Sequence, residues 1–171
     1  MITIDETLKR ELKGFDKLWT RVHTEPEDTV ESVPGCSCQT EGLVPMLMEF
    51  MDDEAMTCAF YKALAGRFTG PCRAALLKTA AEEKAHFKKL QVEYFLLTGD
   101  SYTPKKHTID IDGPVSALRQ AWLGEQKSAA GYMSASLDAK SSRLRDMFGD
   151  LSADETRHIE IMHRLIGLTL E

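Results

Sequence analysis

Two stretches of this chain repeat each other without a gap. Ala81-Glu82-Glu83-Lys84-Ala85-His86-Phe87-Lys88-Lys89-Leu90 aligns on Ala153-Asp154-Glu155-Thr156-Arg157-His158-Ile159-Glu160-Ile161-Met162, with the shared pattern Ala-acid-Glu-x-x-His-apolar-x-x-apolar. The residues upstream repeat as well: Glu54 is followed seven residues later by Tyr61, and Glu125 by Tyr132. Glu54 precedes Glu83, and Glu125 precedes Glu155, by nearly equal distances. The chain therefore reads as two copies of one helical hairpin.

Helical periodicity places these residues inside. Glu and His three apart lie one turn apart on one helix face, so both reach the same small volume. The apolar stripe of the second long helix is Leu76, Ala80, Glu83, His86 or Phe87, Leu90, Tyr94 and Leu97; that of the fourth is Leu144, Phe148, Leu151, Glu155, His158, Met162 and Leu165. Leu47, Phe50, Glu54, Tyr61 and Leu64 share a face in the first, with Cys58 beside them, as do Leu118, Trp122, Glu125, Tyr132 and Met133 in the third. Each helix thus puts a carboxylate where a leucine belongs.

Four inward carboxylates would repel one another, and each unpaired buried charge costs several kcal/mol. Two divalent cations remove the difficulty: four carboxylates balance four positive charges, and two neutral imidazoles complete the donor set. Mixed oxygen and nitrogen ligation suits iron or manganese. Glu160 and His163 have the same spacing but fall off the stripe, and they read as solvated. Tyr61 and Tyr132 read either as core aromatics or as phenols that hydrogen-bond a metal carboxylate.

Turn residues divide the chain. Residues 3–23 read as an N-terminal helix, opened by Thr3 and Glu6 at capping-box spacing. Residues 24–42, rich in Pro, Glu, Ser, Gly and Cys, read as a loop, so 1–42 precedes a bundle over 43–171. The bundle helices are expected over 43–67, from Gly70-Pro71 to about Thr98, from Pro114 to about Ala139, and from the turn at 140–142 nearly to the end. Two short connections make antiparallel neighbours, and the long one at 99–113, at ~3.3 Å per extended residue, can run the length of a bundle. The fold class is all-α: a four-helix bundle with one long crossover and an extra N-terminal helix.

Composition narrows the function. A formal net charge of -6, with no basic block, disfavours nucleic acid as a partner. No run approaches the ~20 apolar residues of a membrane span, and no secretory signal opens the chain, so a cytoplasmic location is expected. Cys36, Cys38, Cys58 and Cys72 do not read as a disulfide framework, and no Cys-x-x-Cys pair holds a rubredoxin iron or a zinc ribbon. Cys58, one turn after Glu54, reads as a buried small hydrophobe or a redox thiol; Cys36 and Cys38 read as incidental, or as a metal or redox pair.

On these motifs the chain, over about 43–166, resembles the ferritin-like di-iron carboxylate proteins, and rubrerythrins most closely. The two Glu-x-x-His motifs with their upstream glutamates are the handful of residues that define that group. The resemblance implies two iron ions, with manganese as the other candidate. Glu54 and His86 would serve one, Glu125 and His158 the other, and Glu83 and Glu155 would bridge. It further implies a small oligomer, a homodimer, that reacts with peroxide or dioxygen and takes electrons from a separate donor protein. Two rubrerythrin features are missing. Gln126-Lys127-Ser128-Ala129 stand where an extra glutamate usually follows the third-helix ligand, and no rubredoxin-like end is present. The bare ligand set is also similar to bacterioferritin, which makes iron oxidation and storage the alternative; the N-terminal helix and the lack of a fifth helix argue against a storage cage.

Overall fold

A computed structural model describes residues 42–170, which form four helices: α1 (Leu43–Ala65), α2 (Gly70–Thr98), α3 (Pro114–Asp138) and α4 (Ser142–Leu170). No strand occurs among the described residues. The helix bounds follow the turn residues closely. The expected N-terminal helix lies outside the described residues.

The connections show why. α1 unwinds through tight bonds from the Gly66, Arg67 and Phe68 amides to the carbonyls three residues back. Gly70 then turns at φ +56, and Pro71, preset for a first helical turn, opens α2. Gly99 closes α2 at φ +76, donating its N–H to the Phe95 carbonyl at 2.8 Å, a left-handed cap that favours glycine.

Cross-helix bonds fix the directions. Tyr61 reaches Glu125 while Tyr132 reaches Glu54, so α1 and α3 run antiparallel. His86 meets Asp154 while His158 meets Glu82, so α2 and α4 do too. With both hairpins antiparallel, the segment 99–113 must carry the chain from one end of the bundle to the other. It is pinned to α1 on the way. Asp52 accepts from the Tyr102 hydroxyl at 3.0 Å and the Lys105 amide at 2.8 Å, and Lys105 Nζ lies 2.9 Å from its other oxygen. Burial would raise the Asp52 pKa, but these donors hold it below the ordinary carboxylate value.

Apolar packing fills the interior on both sides of a polar middle. Tyr61, Leu64, Leu76, Ala80, Leu118, Met162 and Leu165 form one buried cluster. Leu47, Met51, Leu90, Phe148 and Leu151 are buried towards the other end, where Phe148 stacks on Tyr132. Two stripe assignments are corrected. Met133 is 48% exposed, because it stands about 100° round the helix from Tyr132 and only one of the two can face inward. Leu97, in the last turn of α2 beside the Gly99 cap, is 37% exposed.

Candidate metal centre

Glu54, Glu83, His86, Glu125, Glu155 and His158 are all buried, none more than 4% exposed, and they meet at mid-bundle. They fall into two overlapping groups of four. Glu54, Glu83, His86 and Glu155 offer atoms within 4.8 Å of one another, as do Glu83, Glu125, Glu155 and His158. Glu83 and Glu155 belong to both groups. The Nδ1 atom of His86 lies 3.0 Å from Glu155, 3.3 Å from Glu83 and 3.6 Å from Glu54. That of His158 lies 3.0 Å from Glu83, 3.0 Å from Glu155 and 3.7 Å from Glu125. The rings stack with centroids 5.8 Å apart.

Each outer position is held from behind. The Tyr61 hydroxyl donates to Glu125 and the Tyr132 hydroxyl to Glu54, so each phenol bonds the carboxylate of the opposite hairpin. Behind the imidazoles stand two acids to which the sequence pattern gave no task. His86 Nε2 pairs with Asp154 at 3.2 Å, and His158 Nε2 with Glu82 at 2.9 Å. With Nε2–H donating to a carboxylate, Nδ1 is turned into the cluster, the orientation that metal-binding histidines use. Arg157 spans both acids, 2.6 Å from Asp154 and 3.5 Å from Glu82. The signal was present: Glu82 and Asp154 are the conserved acid of the internal repeat, immediately before each inward glutamate. Their targets became visible only when α2 and α4 were set antiparallel.

The donor set fits divalent cations. Glu54 Oε2, Glu83 Oε1, His86 Nδ1 and Glu155 Oε1 are buried without a hydrogen-bond partner, and they face the same small volume. Such orphaned atoms are costly unless something satisfies them. Without ions the cluster must protonate. Burial raises Glu54 well above the ordinary glutamate value and pushes Glu125 up to about 8. Burial alone would lower His86, but Glu155, Glu54 and Glu83 outweigh it and raise its pKa to about 12. His158 rises for the same reason, against burial, through Glu125, Glu155 and Glu83. Glu155 moves the other way: burial opposes ionisation, but the His158 Nδ1 bond and the charge of His86 beside it hold it below the usual range.

Cys58 is 5% exposed, and burial pushes its thiol up, which keeps it protonated and inert. Glu160 and His163 are exposed, as expected. Cys36 and Cys38 lie outside the described residues. No described helix is long and apolar enough to cross a membrane.

Comparison with known proteins places the fold. No protein-family model matches the chain, and neither does any curated protein. Solved structures do match. A hypothetical protein from Pyrococcus furiosus superposes with a TM-score of 0.68 at 20% identity, covering 78% of this chain and 94% of its own. A ferritin-like, diiron-carboxylate protein from Bacillus anthracis str. Ames superposes with a TM-score of 0.66 at 22% identity, covering 77% of this chain and 99% of its own. The chain has the ferritin-like helical-bundle fold.

Proposed function

We propose that the buried cluster binds two iron ions and that the chain is a di-iron oxidoreductase acting on peroxide or dioxygen. The observation that carries this reading is the pair of overlapping groups of four buried donors that share Glu83 and Glu155, with four of their atoms left without a hydrogen-bond partner. Glu54 and His86 would hold one ion, Glu125 and His158 the other, with Glu83 and Glu155 between them. Bound there, two ferrous ions supply a pair of electrons for reducing an oxidant without release of a radical.

The protein's own groups do the rest. Four carboxylates cancel the charge of two divalent ions, so the pair rests in an apolar core without excess charge. Tyr61 and Tyr132 fix the outer carboxylates through hydroxyl protons, and burial beside those carboxylates keeps both phenols un-ionised. Glu82 and Asp154 accept the Nε2–H protons and hold both rings in the tautomer a ligand needs. The apolar layers on either side exclude bulk water.

The resemblance to rubrerythrins supports the peroxide branch, with electrons from a separate carrier and a small oligomer as the working form. No dinucleotide loop of the form Gly-x-Gly-x-x-Gly occurs in the sequence. Anaerobic stopped-flow of protein loaded with ferrous ions tests this directly. Oxidation by peroxide should be rapid, and the ferric product should persist with nicotinamide cofactor until a reductase and a small iron–sulfur carrier are added. Reaction with neither peroxide nor dioxygen would leave a passive metal-binding role. Faster reaction with dioxygen, followed by a ferric mineral, would favour storage.

A further inference from the structure

The two ends of the cluster share their polar residues but not their surroundings. Phe50 stands one turn before Glu54, and Ala121 holds the matching place before Glu125. The Phe50 ring packs on Tyr132 with centroids 4.4 Å apart and on Phe148 at 5.9 Å. Opposite it, a Cβ on Gly131 would meet the Phe50 ring at 3.4 Å, so that end is filled. At the other end the small Ala121 leaves a cavity of about 270 Å³ between α1 and α3, under the crossover, reaching Glu125 and walled by Met56, Phe60 and Ile109. Gly124 is an exposed residue of the cavity lining, and a Cβ there would meet nothing within 4 Å. Asp53 and Lys127, 3.7 Å apart, pair across the mouth from α1 to α3. The volume has room for several waters.

We propose that this cavity is the port through which ions and peroxide-sized solutes reach the cluster, so that the Glu125–His158 position exchanges with solvent while the Glu54–His86 position is sealed by Phe50. The inference rests on the di-metal reading above. It makes the two positions of a nearly symmetric cluster kinetically unequal, and it assigns the inequality to Ala121 and Gly124 on one side and Phe50 on the other. Met56, Phe60, Ile109 and Ala121 give the wall its apolar area, while Thr57, Ser128 and Asp110 add polar groups to the lining.

The test uses the full chain loaded anaerobically with cobalt(II), mixed with excess EDTA, and followed by the cobalt absorption. Two release phases of equal amplitude are expected, separated by roughly tenfold or more, as gated access requires. Gly124→Phe fills the port and should slow the fast phase alone; Ala121→Phe, which copies the Phe50 arrangement, should do the same. Phe50→Ala should speed the slow phase. Gly124 is exposed, so its variant keeps the core intact, and circular dichroism melting checks this. A single release phase, or two phases indifferent to both filling variants, would overturn the port. Wild-type protein that takes up fewer than two cobalt ions would refute the di-metal reading itself, and the port with it.

Discussion

Asp52 and Glu54 lie two residues apart on α1 and are almost equally buried, at 6% and 4% exposure. One pins the crossover and the other belongs to the cluster; burial pushes both pKa values up, and their neighbours decide the outcome. Asp52 has a hydroxyl, an amide and an ammonium around it, so its pKa falls below the ordinary value. Glu54 has a phenol and a histidine, yet one oxygen stays unpartnered beside two further carboxylates, and its pKa climbs. A buried acid is therefore no mark of a metal site. The mark is a buried acid whose neighbours leave the negative charge unanswered.

The contrast breaks most visibly under substitution of the shared glutamates. Glu83→Ala or Glu155→Ala removes a donor from both groups of four, and metal content should fall from two ions per chain to less than one. Asp52→Asn and Glu160→Ala should both retain two. Elemental analysis of the four variants loaded alike decides it, and equal retention in all of them would erase the distinction.

Protons offer the next largest effect. At pH 7 the metal-free cluster holds them on His86, with a pKa of about 12, on His158, and on Glu125, at about 8, while burial shifts Glu54 in the same upward direction. Loading two ions should expel about three protons or more, readable with an indicator dye. The sign follows. Groups with raised pKa values keep their protons below those values, so ions bind more weakly as pH falls from 8. Asp52 behaves in reverse: its depressed pKa contributes stability above the ordinary carboxylate value, and that is lost only as pH falls through the lower one. Mild acid should therefore empty the cluster while amide exchange in 99–113 stays slow. Release of no protons on loading would mean that Glu54 and Asp52 do not differ as described.

A smaller effect sharpens the roles around the cluster. Asp154→Asn and Glu82→Gln leave all six inward residues in place but weaken the hold on each imidazole. Metal affinity should drop by roughly 10–100-fold without a change in stoichiometry, measured by competition with a chelator. The smallest concerns the anchor. Asp52→Asn should lower unfolding free energy by about 1–3 kcal/mol in metal-free protein, with metal affinity unchanged.

Much of this was legible in the residues. The internal repeat located all six cluster residues, and glycine and proline placed the helix ends to within about two residues. Periodicity assigns a face, but it does not say which helix lies opposite. That is why Tyr61 could be read as a partner of a carboxylate without Glu125 being named, and why Glu82 and Asp154 went without a task. The Asp52 anchor was hidden for a stronger reason. Its partners Tyr102 and Lys105 sit in a connection with no periodicity, about fifty residues away, and only the folded crossover brings them together. Met133 shows the opposite failure, an apolar residue beside an inward one that the stripe absorbed by adjacency.

Each group of four draws its donors from three helices: Glu54 on α1, Glu83 and His86 on α2 and Glu155 on α4 in one, and Glu83, Glu125, Glu155 and His158 on α2, α3 and α4 in the other. No single hairpin offers a complete set, so an ion bound as proposed would recognise the assembled bundle and ignore the unfolded chain. By mass action, every tenfold rise in unbound metal beyond the dissociation constant then adds about 1.4 kcal/mol per site to the unfolding free energy. With metal bound as proposed, the melting temperature would become a gauge of metal supply, and copies made under scarcity would begin life more open to proteolysis than those made in plenty.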